Sequence, residues 1–437
     1  MHRGIDPALT GTGATNQESR PPSQQVDGGG SAIAPVAEIR RQFPALARSH
    51  HGHSVAYFDA PGGTQVPDPV LAAMGDYLLH HNANTHWAYP TSQETDTALW
   101  QAREAFADLF NASPTEVVFG LNMTSLTFQI ARALGSKWGP GDEVVVTEID
   151  HHANVTPWRA LERERGVRVR MARMAGEAGQ VDWEHLGTLL RSQTRLLAIG
   201  AASSALGTIT DVARASALAH AVGALCFVDA VHYAAHAPLD VPAIDCDFLA
   251  CSAYKLYGPH VGVLYGKRAL LESLHVAKIE SAPDDTPERL ETGTQNHEGI
   301  VGAAAGLDFL ASLVSGGSRR ERLVRVLDAW HNRGRALCRR LGDGLGPVPG
   351  LRSYAAGDGT ARTATMAFTV EGIAPRDVVR RLAEEGVFCC HGDFYAPTLM
   401  KRLGLGSDGL VRAGCACYTT EEEIDRLIQA VKRLTRR

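Results

Sequence analysis

Between about residues 95 and 270, short apolar runs alternate with stretches whose apolar positions recur at helical spacing. The runs predict strands at 116–119, 143–147, 167–171, 196–201, 225–229, 248–251 and 261–265, with amphipathic segments such as 211–222 between them. Such alternation argues an α/β fold: a mostly parallel sheet flanked by helices. In sheets of that kind, ligands sit beyond the carboxyl ends of the strands. Upstream, the apolar positions of residues 36–43 have helical spacing and mark the expected onset of order. Downstream, the Gly/Ser break at 315–318 precedes a long charged helix over 319–341, and a final helix is expected over 421–435. The predicted organisation is a disordered segment over 1–34, then an N-terminal helix and arm over 35–58 that packs on the small domain. A large domain over 59–315 and a smaller α+β domain over 316–437 complete it.

The first 34 residues are rich in Gly, Ser, Gln, Pro and Thr, and bury too little apolar surface to offset the entropy of ordering. Gly11-Thr12-Gly13 lies in this stretch with no strand ahead of it, so it does not read as a dinucleotide loop. The chain has 43 Lys and Arg against 48 Asp and Glu, a formal charge of −5, with no long basic block, which argues against nucleic acid as a partner. No apolar run approaches a membrane span, and no basic start with an apolar run after it marks a secretory signal. Eight cysteines lack disulfide-framework spacing, and Cys389-Cys390 with Cys415-x-Cys417 lack the partners of a zinc site. No metal is expected, and a reducing cytoplasm is the simplest setting.

Two of the predicted strands carry chemistry at their ends. Residues 224–230, Ala-Leu-Cys-Phe-Val-Asp-Ala, deliver Asp229; residues 248–259, Phe-Leu-Ala-Cys-Ser-Ala-Tyr-Lys-Leu-Tyr-Gly-Pro, deliver Lys255. Alone, either reads equally as a helix-capping aspartate or a solvated lysine. As a pair they fit another role. A lysine in an apolar pocket loses its proton readily and can condense with an aldehyde. A carboxylate nearby keeps a pyridine nitrogen protonated and makes that ring an electron sink, the division of labour pyridoxal 5'-phosphate chemistry requires.

Around these residues the chain resembles the class V aminotransferases, and among them the cysteine desulfurases and selenocysteine lyases. The resemblance runs from Tyr57 to the C-terminus. It is carried by Ala56-Tyr57-Phe58-Asp59-Ala60, by Asp150-His151-His152-Ala153-Asn154-Val155-Thr156-Pro157-Trp158, and by the Asp229 and Lys255 segments. Glu291-Thr292-Gly293-Thr294-Gln295-Asn296, Val411-Arg412-Ala413-Gly414 and Tyr418-Thr419-Thr420-Glu421-Glu422-Glu423 complete it. It implies a fold-type I enzyme, a homodimer, with pyridoxal phosphate on Lys255.

By the same resemblance, Lys255 is the Schiff-base lysine and the base at the substrate Cα, and Asp229 pairs with the pyridinium nitrogen. His151 stacks on the cofactor face, while His152 packs or hydrogen-bonds. Thr124, next to Met123 at a strand-to-helix turn, matches the phosphate-binding threonine, where free backbone N–H groups attract a dianion. Ser252 adds a hydroxyl to the phosphate, and Thr294 resembles the threonine that reaches it from the partner subunit. His232 and Ser204 stand where relatives carry glutamine and asparagine near the cofactor's phenolic oxygen. Arg412 offers a planar fork for the substrate carboxylate, with the loops around His86 and Tyr395 setting specificity.

One part of the family pattern is missing. Desulfurases carry Arg-x-Gly-His-His-Cys-Ala ahead of a Pro, whereas this chain reads Cys390-His391-Gly392-Asp393-Phe394-Tyr395-Ala396-Pro397. Tyr395 falls on the nucleophilic cysteine's position, and a phenol cannot carry sulfane sulfur. Tyr254 also replaces the histidine that commonly precedes the lysine. Cys389 and Cys390 read as an inert strand end. The chain thus resembles the desulfurase-like clade without the catalytic cysteine. Its expected reaction is β-elimination of the C–S lyase type. Epimerisation or racemisation, transamination, desulfuration through Cys389 or Cys390, and a non-catalytic cofactor-binding role are the alternatives.

Overall fold

The computed structural model describes residues 33–354 and 360–435. The expected disordered segment 1–34, save Ile33 and Ala34, lies outside the described residues, as does Gly11-Thr12-Gly13. All seven predicted strands form, and they make one sheet. They are β1 (Val117–Gly120), β2 (Glu143–Thr147), β3 (Arg168–Ala172), β4 (Thr194–Gly200), β5 (Leu225–Asp229), β6 (Phe248–Ser252) and β7 (Gly262–Gly266). Their order is β1-β7-β6-β5-β4-β2-β3. The pairs from β6 through β3 are parallel, and β7 runs antiparallel to both β6 and β1. Covered on both faces, the central strands are continuous apolar runs: Val144, Val145 and Val146 are all fully buried. Strand β4 starts two residues before its apolar run, because Thr194 pairs with Glu143 while the exposed Arg195 reaches Asp142 at 2.6 Å.

Capping sets the helix ends. The side chain of Asp211 accepts from the Arg214 N–H, so the helix of the 211–222 stretch runs Val212–His220, and Gly223 ends the segment at φ +76°. Ser318 and Glu321 form a capping box ahead of a helix that extends past the expected end, Arg319–Leu345. Thr420 and Glu423 do the same for Glu421–Leu434. The first helix is shorter than its periodicity suggests, Val36–Arg40, because Phe43 turns inward to pack on Tyr418 at 4.9 Å and on Phe309 at 5.4 Å.

The C-terminal third builds a second, antiparallel sheet from β8 (Leu351–Ser353), β9 (Thr365–Val370), β10 (Cys390–Gly392) and β11 (Leu410–Gly414), in the order β8-β9-β11-β10. The N-terminal arm meets this region. Ala56–Tyr57 runs parallel to Val387–Phe388, Arg426 donates to the Ser54 carbonyl, and Arg40 pairs with Glu423 at 3.0 Å. Among the described residues no helix is long and apolar enough to cross a membrane.

Candidate active site

A cavity opens beyond the carboxyl ends of the parallel strands, where ligands of such sheets sit. Met123, Thr124, Asp150, His151, Ser204, Asp229, His232, Ser252, Tyr254 and Lys255 are among the residues lining it. Asp229 is the last residue of β5, and Lys255 closes a short 3-10 turn directly after β6. Both are buried, at 9% and 8% exposure. Burial lowers the Lys255 pKa, helped by Arg412 and opposed by Asp229 and Cys390. It raises that of Asp229, against the pull of the Val231 N–H, donated at 2.9 Å, and of Lys255. A dry lysine with a depressed pKa is the amine that an aldehyde needs.

The opposite end of the cavity is a helix start. Asn122 caps the helix Met123–Gly135 by accepting from the Ser125 N–H at 2.9 Å. The Met123 N–H donates to Ser252 Oγ at 3.2 Å, which ties the helix to the end of β6. This approach passes directly over β7. A Cβ on Gly262 would stand 2.4 Å from the Asn122 carbonyl carbon, so only glycine fits. Exposed N–H groups of a first helical turn suit a phosphate.

His151 caps the short turn His152–Asn154, and its Nδ1 accepts from the Ala153 N–H at 3.0 Å. Burial first, then the positive charge of Lys255, brings its pKa down to about 4, leaving a neutral ring. His152 turns aside and meets Thr398 Oγ1 at 3.1 Å. His232 is buried, with Nε2 held by Thr363 Oγ1 at 2.9 Å and Thr365 Oγ1 at 3.2 Å. The Ser204 hydroxyl has no partner among the described residues, while its carbonyl accepts from Arg412 Nη1 at 2.6 Å.

Arg412 is fixed by β11, opposite Cys390 of β10 and Ala367 of β9. Burial lowers its pKa to about 10, still charged at neutral pH, and Cys390, Asp59 and Tyr254 oppose the shift. Its guanidinium carbon lies 3.9 Å from the ring centroid of Phe394. Phe394 and Tyr395 both hold left-handed backbone, at φ 52° and 55°. The Tyr395 carbonyl accepts from the His152 N–H, and its ring, 74% exposed, sits 5.3 Å from that of His151.

Two sequence-predicted residues lie elsewhere in the chain. Thr294 is exposed and lines a separate depression with Leu121 and His260. His86 is exposed and faces Glu288 and Asp96 at 3.3 and 3.6 Å. The cysteine reading needs a correction. Cys389 is buried after Val387–Phe388 as expected, but Cys390 opens a different strand, is only half-buried, and faces Arg412. Burial nonetheless raises both thiols, against the partial pull of Arg412 on Cys390. Sequence reading also passed over Asp150, fully enclosed on the cavity wall; its place directly before His151 was the available signal.

The sheet, with a buried lysine and its carboxylate at the strand ends and a helix start across the cavity, is that of a fold-type I pyridoxal-phosphate-dependent enzyme. The chain belongs to the class-V aminotransferase family, whose pattern matches residues 56–427. A cysteine desulfurase of Pectobacterium atrosepticum is 34% identical over 418 residues, covering 92% of this chain and 98% of its own. Cysteine desulfurase CsdA of Escherichia coli is 32% identical, covering 91% and 97%. Among solved structures, the apo cysteine desulfurase of Thermococcus onnurineus matches with a TM-score of 0.83 at 27% identity, over 93% of this chain and 99% of that one. The structure of E. coli CsdA gives a TM-score of 0.80 at 30% identity, over 92% and 98%.

Proposed function

We propose that this protein cleaves a carbon–sulfur bond in a small amino acid or amino-acid conjugate by β-elimination, without a protein persulfide. When bound, pyridoxal phosphate supplies an aldehyde for the lysine and a protonated ring that stores the electron pair left at Cα. Lys255 holds the cofactor and takes the Cα proton. Asp229 keeps the ring nitrogen protonated, and His151 lies against the ring face. Thr124, the Met123 turn and Ser252 hold the phosphate, with His232 and Ser204 near the phenolic oxygen. Arg412 would fix the substrate carboxylate and with it the orientation of the Cα–H bond toward Lys255, and His86 and Tyr395 would bound the substrate's side chain. Residues 59–315 are the cofactor-binding domain and 316–437 the smaller one. The assembly is a homodimer, in which Thr294 serves the partner's phosphate site.

The observation that carries the elimination reading is the pairing of His151 with Tyr395. A phenol, not a thiol, stands over the ring that faces the cavity. With no acceptor thiol there, the sulfur leaves as a thiolate with the C–S electron pair. The three-carbon remainder departs as an α-imino acid, which water hydrolyses to pyruvate and ammonia. The desulfurase relatives favour a second reading, transfer of sulfur to Cys390, since that half-buried thiol faces Arg412. Product analysis on cysteine and its S-conjugates separates them. Pyruvate, ammonia and free thiol support elimination; alanine with a persulfide on Cys390 overturns it.

A further inference from the structure

The wall beneath Asp229 holds a second carboxyl group to which the mechanism gives no task. Asp150 is 3% exposed and follows β2. Its Oδ1 accepts from the Gly200 N–H at 2.7 Å, while Oδ2 is buried with no well-formed hydrogen bond among the described residues. Gly200 is the residue paired with Asp229 across β4 and β5, so both carboxyls converge on one pair of strand ends. The fit is tight: a Cβ on Gly200 would stand 2.7 Å from Asp150 Oδ1. Thr147, at the end of β2, is buried beside it.

We propose that Asp150 is a positioning residue that stays a neutral carboxylic acid, so that Asp229 is the one ionised carboxylate facing the cofactor's ring nitrogen. A carboxylate with few hydrogen bonds and no counter-ion is costly to bury, and two carboxylates at one site disfavour joint ionisation. The charged and titratable groups around Asp150 are few. Asp229 faces it from β5, and Lys255, Tyr254 and His232 share the cavity wall. His151 and His152 follow it in the chain, and burial lowers the pKa of both. The one cation among them, Lys255, acts on Asp229 and lowers it. Burial first, then Asp229, raises Asp150 to about 8, above Asp229, with Thr147 and Gly200 offsetting part of the shift. The single shared proton therefore stays on Asp150.

Infrared spectroscopy of the cofactor-free protein tests this, independently of the reaction proposed above. At pH 7.5 a protonated carboxyl stretch should be present in the wild type, persist in Asp229→Asn, vanish in Asp150→Asn, and bleach in the wild type as pH passes about 8. Its absence from the wild type, or its survival in Asp150→Asn, overturns the proposal. Thermal unfolding gives a second reading. The folded pKa lies above the unfolded one, so the stability that Asp150 contributes falls progressively from pH 3.8 to about 8 and no further above it. The Tm advantage of Asp150→Asn should grow over that interval and then level off; a pH-independent difference overturns the idea. If Asp150→Asn does not fold, the wild-type and Asp229→Asn infrared titrations still decide. Failure of the elimination reading would appear in the products and leave both measurements untouched.

Discussion

Arg412 and Phe394 lie face to face, the guanidinium carbon 3.9 Å from the ring centroid. The contact joins the residue proposed to bind the substrate carboxylate to the loop that carries Tyr395. A guanidinium stacked on an aromatic keeps its in-plane N–H groups free for a bidentate partner. The Ser204 carbonyl takes one of them. Arg412→Gln should therefore raise KM for an amino-acid substrate and lower kcat/KM by about 10- to 100-fold, the loss of a charge-assisted pair. Cofactor absorbance should remain, and steady-state kinetics beside a visible spectrum check both.

Lys255→Ala should remove the covalent link to the cofactor and slow turnover by about 10²- to 10⁴-fold or more, the usual weight of a positioned base. Borohydride treatment followed by peptide mapping should find the wild-type adduct on Lys255 and none on the variant. An adduct on another lysine would refute the assignment.

Gly262→Ala should weaken cofactor binding without touching the cofactor. The added methyl would overlap Asn122 backbone at 2.4 Å and push the helix start away from Ser252. Overpacking of this kind costs about 1–3 kcal/mol. The expected result is a lower Tm together with a higher cofactor Kd, measured by calorimetry and titration.

His236 is buried, meets His232 edge-on, stacks on Trp330, and leaves Nδ1 without a partner among the described residues. Burial lowers its pKa from 6.5 to about 3. The unfolded chain takes up that proton first, so the stability due to the neutral ring is present above pH 6.5 and lost as pH falls toward 3. His236→Phe should gain on the wild type by about 1.4 kcal/mol per pH unit across that window. Chemical denaturation at pH 4, 5 and 7 checks the slope.

Sedimentation should show a dimer at working concentration. Thr294 lies away from the cavity of its own chain, so a stable monomer with full cofactor occupancy would remove it from the phosphate site.

The sheet was legible in sequence because its strands are buried on both faces. Runs such as Val144–Val146 announce themselves without any partner in view. Asp229 and Lys255 were legible for a related reason, as polar residues that end apolar runs. The short C-terminal strands were not. Cys390–Gly392 has half-exposed ends and depends on pairing with Leu410–Gly414, a contact that no local pattern encodes. The same pairing turns Cys390 toward Arg412, which spacing alone had assigned to a strand end. Asp150 stayed hidden because a helix cap and a buried acid look alike until Gly200 is placed beside it.

Gly120, Gly262 and Ser252 stand in register across β1, β7 and β6. The span between the helix start and Lys255 is thus fixed by main chain, two strand spacings of about 4.8 Å each, not by any side chain that mutation can resize. The helix start proposed to hold the cofactor's anionic end is thereby set independently of the loop at 393–395. That loop can then be rebuilt, and new leaving groups tried, while the helix start and Lys255 keep their places.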